Sequence, residues 1–330
     1  MLRHLLPVIV FLMYASIASA ADFSITQKSD SIDINYNDKL VTTYHFGKDT
    51  NKPYFWPIVG PTGKQMTRAY PMEDREGERQ DHPHHRSFWF GHQVINNSDT
   101  WHEEATYKER YAKKPDELAR RMAGLGSTVH RQVVTAKASG DHAVLVTKND
   151  YLDGKGNKML EDLRTYTFRT TATSRVVDVE IKLIGSQAKV TIGDAKDAGF
   201  SVRVPHSMAQ SSGNGGKIIN SRGDRDKQAW SKRAEWVDYH GPVEGEHLGI
   251  AILNHPSSFR FPTPWHVRTY GLFTANPFGL KSLKQSNESG STDLAKGESL
   301  IQRYRVIFHV GDEKTAGIQA AFDAYAKESF

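Results

Sequence analysis

The segment Val177-Asp178-Val179-Glu180-Ile181-Lys182-Leu183 alternates apolar and charged side chains at every position. Because successive side chains of a β-strand point to opposite faces of a sheet, this period of two predicts a strand with one buried face. The same alternation recurs in four further segments: Ile32, Ile34 and Tyr36; Tyr166 and Phe168; Leu248, Ile250 and Ile252; Tyr304, Val306, Phe308 and Val310. The pattern therefore predicts an all-β protein.

Turn sequences separate these strands, at residues 153–157, 213–216 and 289–290. No period of about 20–50 residues is repeated, which argues against a propeller or a solenoid. We therefore expect one large antiparallel β-sandwich.

Two segments depart from the strand pattern. At the C-terminus, Ile318, Phe322 and Tyr325 are spaced to share one helical face, which predicts a helix that starts near Lys314. The segment Glu103–Arg121 is dense in charge and contains a proline, so it is either a helical insertion or a mobile loop with a solvated face.

The composition restricts the chemistry that the protein can use. The chain of 330 residues has no cysteine and 15 histidines, which excludes disulfides, thiol nucleophiles and iron–sulfur clusters. Acid–base or metal chemistry must therefore rely on histidine, carboxylates and tyrosine. The net charge of +5 is weak and no basic patch is interleaved with aromatic residues, so no nucleic-acid partner is expected.

The first twenty residues have the organisation of a secretory signal peptide. Arg3 and His4 precede the apolar run Leu5–Ile17, and Ala18-Ser19-Ala20 fits the rule for cleavage after Ala20. We expect residues 1–20 to be removed, and residues 21–330 to form a single secreted or periplasmic domain rather than the two domains that length alone suggests. The alternative is a membrane anchor, for which the run is short. No later segment predicts stable membrane insertion.

The most unusual local feature is the histidine-rich stretch Asp81-His82-Pro83-His84-His85-Arg86-Ser87-Phe88-Trp89-Phe90-Gly91-His92, closely followed by Trp101 and His102. On a strand, His82 and His84 would share one face and His85 would lie on the other. Imidazoles exchange protons near neutral pH, so His84 and His85 are predicted acid–base groups. The predicted substrate-binding residues of this region are Arg68, Arg86, His92 and Trp101.

Two other interpretations of these histidines stay open. His82 and His84 could hold a divalent metal ion, with His92 or a distant residue as third ligand. Individual histidines could also serve only to satisfy buried backbone or carboxylate partners.

A second polar cluster lies far along the chain, in residues 262–273. If this segment forms a strand, His266, Arg268 and Tyr270 share one face, which suits the floor of a polar cleft better than a core. We expect His266 or Tyr270 to be the catalytic partner of His84 or His85.

A third segment supplies further candidate substrate-binding residues. Arg203 and His206 follow a predicted strand and are expected to reach the same cleft as Arg268. Lys196 is a candidate cation at a strand end.

These segments together resemble a secreted bacterial family that has been labelled "methane oxygenase PmoA-like". The resemblance covers nearly all of the chain after residue 20 and rests on the following stretches: Lys52-Pro53-Tyr54-Phe55-Trp56-Pro57-Ile58, Thr67-Arg68, residues 81–92, Asp99-Thr100-Trp101, Gly193-Asp194-Ala195-Lys196, Trp265-His266-Val267-Arg268 and Asn276-Pro277-Phe278-Gly279. This chain has Asp197-Ala198 where Glu-Gly commonly follows the lysine, so no role is assigned to those two residues.

The label does not fit the physical character of the chain. The methane oxygenase subunit of that name is a membrane protein with several spans, whereas this chain has a mean hydropathy of −0.57 and no spanning segment after residue 20, so methane oxidation is rejected. Tyr54-Phe55-Trp56-Pro57 and His85-Arg86 are similar to segments of galactose-mutarotase-like supersandwich proteins. That resemblance implies a concave sheet face that presents histidine and arginine to a carbohydrate.

Three functions compete on these observations. We favour a carbohydrate-active enzyme, of lyase or epimerase type rather than hydrolase, because hydrolysis usually needs two carboxylates. The carboxylates near the two polar clusters that could serve in hydrolysis are Asp81, Asp99, Glu103 and Glu104. Its substrate would be a glycan whose hydroxyls, or whose carboxylate in an acidic sugar, are bound by arginines, and no cofactor is required. The alternatives are a non-catalytic glycan-binding module and an enzyme that depends on a histidine-bound divalent metal.

Overall fold

A computed structural model describes residues 22–187 and 189–330. The predicted signal peptide, residues 1–20, lies outside the described residues. The strands are β1 (Phe23–Gln27), β2 (Ser31–Tyr36), β3 (Lys39–His45), β4 (Tyr54–Ile58), β5 (Phe88–His92), β6 (Ser127–Ser139), β7 (His142–Leu152), β8 (Lys158–Thr170), β9 (Ser174–Ile184), β10 (Val190–Ile192), β11 (Ala198–Arg203), β12 (Lys217–Asn220), β13 (Trp236–Val243), β14 (Glu246–Asn254), β15 (Trp265–Val267), β16 (Leu272–Ala275), β17 (Thr292–Leu294) and β18 (Ser299–Val310). The helices are α1 (Glu104–Arg110), α2 (Pro115–Ala123) and α3 (Ile318–Tyr325).

Two antiparallel sheets of eight strands each form the body of the molecule. The first sheet has the order β1-β2-β3-β4-β5-β11-β16-β15, and the second has the order β12-β13-β14-β18-β9-β8-β7-β6. Strands β10 and β17 form a separate two-stranded sheet. The prediction of an all-β antiparallel sandwich with a C-terminal helix is confirmed.

The sheets bury a common apolar core between them. Aromatic side chains meet across it: Phe55 of the first sheet lies 4.7 Å from Tyr166 of the second, and Phe200 lies 5.2 Å from Tyr304, ring centre to ring centre. The alternating residues that predicted the strands supply this core, because one face of each strand is apolar.

The same alternation leaves the other face of the first sheet free for polar groups. Phe88 of β5, Val202 of β11 and Phe273 of β16 stand opposite one another and belong to the core. The residues one position away, Trp89 and Ser201 among them, therefore project from the outer face of that sheet.

The two segments outside the strand pattern are helical. The segment Glu103–Arg121 is a helical insertion: it contains α1 and most of α2, and Pro115 occupies the first turn of α2, where its missing N–H costs nothing. Ile318, Phe322 and Tyr325 share one face of helix α3, as predicted. They pack against the outer face of the second sheet. The helix begins at Ile318 rather than near Lys314. Of the helices described, none has the length and apolar character needed to cross a membrane.

Candidate functional site

A row of five side chains crosses the outer face of the first sheet. Tyr54, Trp89, Ser201, Thr274 and His266 stand directly opposite one another on adjacent strands β4, β5, β11, β16 and β15. Directly opposed residues of antiparallel strands project from the same face, so the five form one line. The hydroxyls of Ser201 and Thr274 hydrogen-bond each other at 2.9 Å. This row is the floor of the candidate site.

Above Trp89, a turn gathers the three histidines of the His-rich stretch. They do not lie on a strand, so the two faces considered for them do not apply: β5 begins only at Phe88, and the backbone N–H of His85 donates to the carbonyl of His82 at 2.9 Å. His82 has a positive φ of 48°, which breaks an extended strand. As a result the rings converge, with centres 4.8 Å apart for His82 and His85 and 4.4 Å apart for His84 and His85.

His102 joins these rings from the other side. Its ring centre lies 4.5 Å from that of His84, and its Nδ1 lies 2.8 Å from Oδ2 of Asp99. His102 follows the histidine-rich stretch in the sequence, but no local pattern indicates a role for it, because its pairing with Asp99 is formed only in the fold. We call His82, His84, His85 and His102 the histidine cluster.

Three members of the cluster have one ring nitrogen engaged and the other free. Nδ1 of His84 shares a hydrogen bond with the hydroxyl of Thr106 on α1 at 2.8 Å, and Nδ1 of His85 receives one from Arg203 at 3.1 Å. Among the described residues, Nε2 of His84, His85 and His102 has no hydrogen-bond partner, and the three residues are only 1–2% exposed. The cluster therefore presents three unpaired nitrogens.

The engaged nitrogens set different tautomers. Arginine has no acceptor, so Arg203 must donate to Nδ1 of His85, and the neutral ring then carries its proton on Nε2. The carboxylate of Asp99 can only accept, so His102 carries a proton on Nδ1, and the neutral form of its ring has the lone pair on Nε2. Burial and neighbouring positive charges lower the pKa of His84 and His85 well below the usual value, so both rings are neutral at neutral pH.

Two of the predicted substrate-binding arginines are engaged with the protein itself. Arg68 donates to Asp81 at 2.7 Å and to the backbone carbonyls of Tyr70, Arg79 and His82. Arg203 donates to the same oxygen of Asp81 at 2.7 Å. Both guanidinium groups are buried, and together they hold the loop that carries the histidines against the sheet.

Arg86 and Trp101 are also occupied. Glu103 binds Arg86 through two oxygens, with contacts of 2.7–3.0 Å, and accepts from the buried Lys52 at 3.0 Å. Trp101 is 0% exposed and its ring centre lies 5.5 Å from that of Trp89, so it packs beside Trp89, over which the histidine cluster lies. Its indole nitrogen has no partner among the described residues.

Tyr270 and Arg268 lie at the open side of the cluster. Tyr270 is half-buried and stacks on His82, with ring centres 5.2 Å apart and planes within 8°. Burial raises the pKa of its hydroxyl, which keeps it protonated at neutral pH. Arg268 lies over the rings of Tyr270 and Trp230, at 5.7 and 5.6 Å, and forms no ion pair or side-chain hydrogen bond within the described chain. Of the four predicted arginines it is the one left free for a ligand.

His266 stands at the far end of the row. Three strand spacings separate it from Trp89, which is about 14 Å. Trp230 donates to its Nδ1 at 2.8 Å, and its Nε2 lies 3.6 Å from a carboxylate oxygen of Asp197. Lys196 is exposed beside it. Of the two predicted partner residues, Tyr270 therefore contacts the histidine cluster and His266 does not. Asp197, to which the sequence assigns no role, faces His266.

Two predicted substrate-binding histidines lie elsewhere. His92 shares the core face of β5 with Phe88, where its ring packs 4.9 Å from Phe278 and its Nδ1 accepts from the backbone of Val94. His206 lines a separate groove of about 300 Å³ with Glu78 and Glu244. The histidine cluster does not include either residue.

Among the described residues, no third ligand atom joins His82 and His84 at the predicted metal site. Their ring centres are 5.7 Å apart. Among the described residues, three potential ligand atoms come within 4.8 Å of one another only at Asp238, His240 and Glu313, on the second sheet. Metal binding at His82 and His84 stays a prediction.

Comparison with protein families gives one match that spans most of the chain. Residues 31–323 match a model described as "Family of unknown function (DUF6807)". The chain belongs to this family. No curated protein matches it.

Several solved structures resemble this family member at low sequence identity. A galactose mutarotase related enzyme from Lactobacillus acidophilus is 7% identical, with 87% of this chain and 97% of that chain covered and a TM-score of 0.33. A galactose mutarotase-like protein from Lactobacillus casei is 10% identical, with 87% and 100% covered and a TM-score of 0.32. The galactosidase domain of an alpha-galactosidase-sucrose kinase, AgaSK, is 9% identical, with 87% of this chain but 40% of that chain covered and a TM-score of 0.35. The chain thus spans two fifths of this last structure, and the chemistry of the site is argued below from its own residues.

Proposed function

We propose that this protein is an exported carbohydrate-active enzyme of lyase or epimerase type, acting on an acidic sugar. The observation that carries the proposal is the histidine cluster, in which Asp99 and Arg203 fix two rings in opposite tautomers beside Tyr270 and the unpaired Arg268. A proton acceptor, a hydrogen-bond donor, a proton donor and a cation then lie along one series of contacting rings, which runs from His102 through His84 and His82 to Tyr270, with Arg268 over Tyr270. The label "methane oxygenase PmoA-like" stays a sequence-based prediction and supplies no part of this function.

The residues suit proton abstraction next to a carboxylate. Nε2 of His102 takes the proton from the carbon beside the sugar carboxylate, and Arg268 neutralises the charge that develops there. Nε2–H of His85 donates a hydrogen bond to the same charge, as a neutral imidazole can without losing its proton. Each of these groups acts most strongly in the transition state.

The second half of the reaction decides between the two types. In a lyase, the electron pair of the broken C–H bond forms a C=C bond, the neighbouring C–O bond breaks, and the departing oxygen takes the proton of the Tyr270 hydroxyl. In an epimerase, a proton returns to the same carbon from the opposite face, and no C–O bond breaks. The protonated state of Tyr270 at neutral pH suits both roles.

Hydrolysis by two carboxylates has less support from the site. A hydrolase of that kind needs one carboxyl group that holds a proton. Asp81, Asp99 and Glu103 are buried, which alone would raise the pKa of each, but their histidine, arginine and lysine partners lower it below its usual value. All three are therefore ionised and already paired.

The test is a screen of the purified protein against neutral and acidic oligosaccharides. Absorbance of an unsaturated product detects a lyase, new reducing ends detect a hydrolase, and NMR of the sugar detects an epimerase. His102→Gln, and the pair His84→Ala with His85→Ala, should abolish turnover while ligand binding is retained. Binding without turnover in the wild type would make the protein a glycan-binding module, and activity lost on chelation would favour the metal-dependent alternative.

Export is the remaining part of this proposal and has its own test. Cleavage after Ala20 predicts that the protein recovered from outside the cytoplasm begins at Ala21. N-terminal sequencing decides it, since an uncleaved N-terminus would indicate the membrane-anchor alternative.

A further inference from the structure

A second polar cluster lies on the outer face of the second sheet, away from the candidate carbohydrate site. Asp238 and His240 alternate on β13 and project from the face opposite the core residue Tyr239. Glu313 follows β18 and approaches them from the segment that leads into α3. One ligand atom from each of the three lies within 4.8 Å of those of the other two.

Asp238 has an unsatisfied carboxylate in a buried position. Its side chain is 0% exposed, and one oxygen accepts from Nε2 of His309 at 2.7 Å. The other oxygen, Oδ1, has no hydrogen-bond partner among the described residues. A buried anionic oxygen without a partner costs on the order of several kcal/mol unless another group compensates its charge.

No lysine or arginine supplies that compensation. Within the described chain, the only ion-pair partner of Asp238 is His309, and the only one of Glu313 is His240. Two carboxylates therefore converge without a permanent cation, which is the arrangement that a bound cation stabilises.

His240 is oriented as a metal-binding histidine would be. Its Nδ1 hydrogen-bonds Nε2 of the exposed His247 at 2.8 Å, so the ring is held by the nitrogen that points away from the carboxylates. Its Nε2 lies 3.6 Å from an oxygen of Glu313, too far for a good hydrogen bond. Metal-binding histidines commonly donate their other N–H to an outer partner in this way.

Gly249, the residue opposite His240, leaves room for the ring of His309. Gly249 of β14 stands between His240 and His309 in the sheet, and a Cβ atom at that position would overlap the ring of His309. The imidazole that holds Asp238 can therefore lie flat on the strand only because residue 249 has no side chain.

We propose that Asp238, His240 and Glu313 bind a divalent metal ion of the zinc class. One imidazole nitrogen and two carboxylate oxygens are a donor set that Zn²⁺ accepts, with water as the fourth ligand. Because Glu313 leads into α3, the bound ion ties the C-terminal helix to β13 and serves a structural role. The site is independent of the histidine cluster, which lies on the other sheet.

The test uses the full chain without an affinity tag, stripped of metal and dialysed against ZnCl₂. The wild type should retain one equivalent of zinc and melt at a higher temperature with zinc than without it. Asp238→Asn and Glu313→Gln should bind zinc at least tenfold more weakly and lose the thermal shift. Glu313 lies in a loop, so its variant keeps the test valid if Asp238→Asn fails to fold.

A matched control removes the same charge near α3. Glu328→Gln loses an ion pair with Arg305 but no proposed ligand, so it should bind zinc as the wild type does. The proposed site is wrong if the wild type and the three variants all retain zinc equally, or if none of them retains zinc. A thermal shift produced by Ca²⁺ but not by Zn²⁺ overturns the zinc-class assignment.

Discussion

Asp99 and His102 form a buried pair in which Oδ2 of the carboxylate lies 2.8 Å from Nδ1 of the ring. The other oxygen of Asp99 accepts the backbone N–H groups of Trp101 and His102, and the hydroxyl of Tyr107 donates to Oδ2. A carboxylate held by four donors is fixed in orientation, so it fixes the tautomer of the histidine as well. The neutral form of His102 then has its lone pair on Nε2, where the proposed mechanism needs a proton acceptor.

Asp99→Asn should reduce turnover by about 10²–10⁴-fold with little change in KM, because an amide can stabilise the wrong tautomer of His102. The measurement is kcat and KM on the substrate that the oligosaccharide screen identifies, with circular dichroism to confirm folding. Asp141→Asn is the matched control, since Asp141 pairs with His142 at 2.7 Å on the surface. A folded Asp99→Asn variant with wild-type kcat would remove His102 from the mechanism.

Arg268→Gln should lower kcat/KM for an acidic sugar about tenfold or more and leave the Kd of a neutral sugar unchanged, because it removes the cation that faces the developing charge. Arg268 has no ion pair within the described chain but lies over Trp230 and Tyr270, so the free energy of unfolding should fall by about 1–2 kcal/mol at most. Steady-state kinetics with the acidic oligosaccharide, equilibrium binding of the matched neutral one and urea unfolding give the readouts. Equal effects on both sugars would contradict recognition of a carboxylate.

The sequence predicts the fold well because strand alternation is a local property. Residues 177–183 need only their own period of two to indicate a half-buried strand, and β9 covers them. The candidate site depends on pairings between distant residues. Asp81 joins Arg68 and Arg203, which lie 13 and 122 positions away, and nothing local distinguishes these two engaged arginines from the free Arg268.

The turn of the histidine-rich stretch shows the same limit. Its strand pattern is overridden because the buried Arg68 donates to the carbonyl of His82 at 3.0 Å and holds that residue at a positive φ. A long-range contact thus decides the local conformation, and it brings His84 and His85 to one place when alternation would separate them.

Asp81→Asn should destabilise the protein by about 3–5 kcal/mol, because it leaves Arg68 and Arg203 buried beside each other without their common carboxylate. Urea unfolding at pH 7 measures the change. Glu73→Gln breaks the exposed pair with Arg75 and should cost less than about 1 kcal/mol. Similar losses in the two variants would mean that the Asp81 network contributes no more than a surface ion pair.

The same carboxylate gives a pH dependence of known sign. Although burial would raise the pKa of Asp81, His82 and the two arginines lower it below its unfolded value of about 3.9. Its contribution is therefore complete above the unfolded pKa and is lost as the pH falls through the lower folded one. The difference in unfolding free energy between wild type and Asp81→Asn should shrink below about pH 4.

His92→Gln should flatten the dependence of stability on pH between about 6.5 and 3. Burial lowers the pKa of His92 to about 3, so the folded protein excludes a proton that the unfolded chain takes up below about pH 6.5. The stability that depends on this neutral ring is present at neutral pH and is lost as the pH falls, by at most about 1.4 kcal/mol per pH unit. Urea unfolding at several pH values between 7 and 4 compares the slopes of wild type and His92→Gln. The variant will be less stable at pH 7, since Val94 donates its N–H to His92. The test therefore compares how the free energy of unfolding changes with pH, not its value at pH 7. Parallel curves for wild type and His92→Gln would show that this imidazole titrates in the folded protein as it does in the unfolded chain.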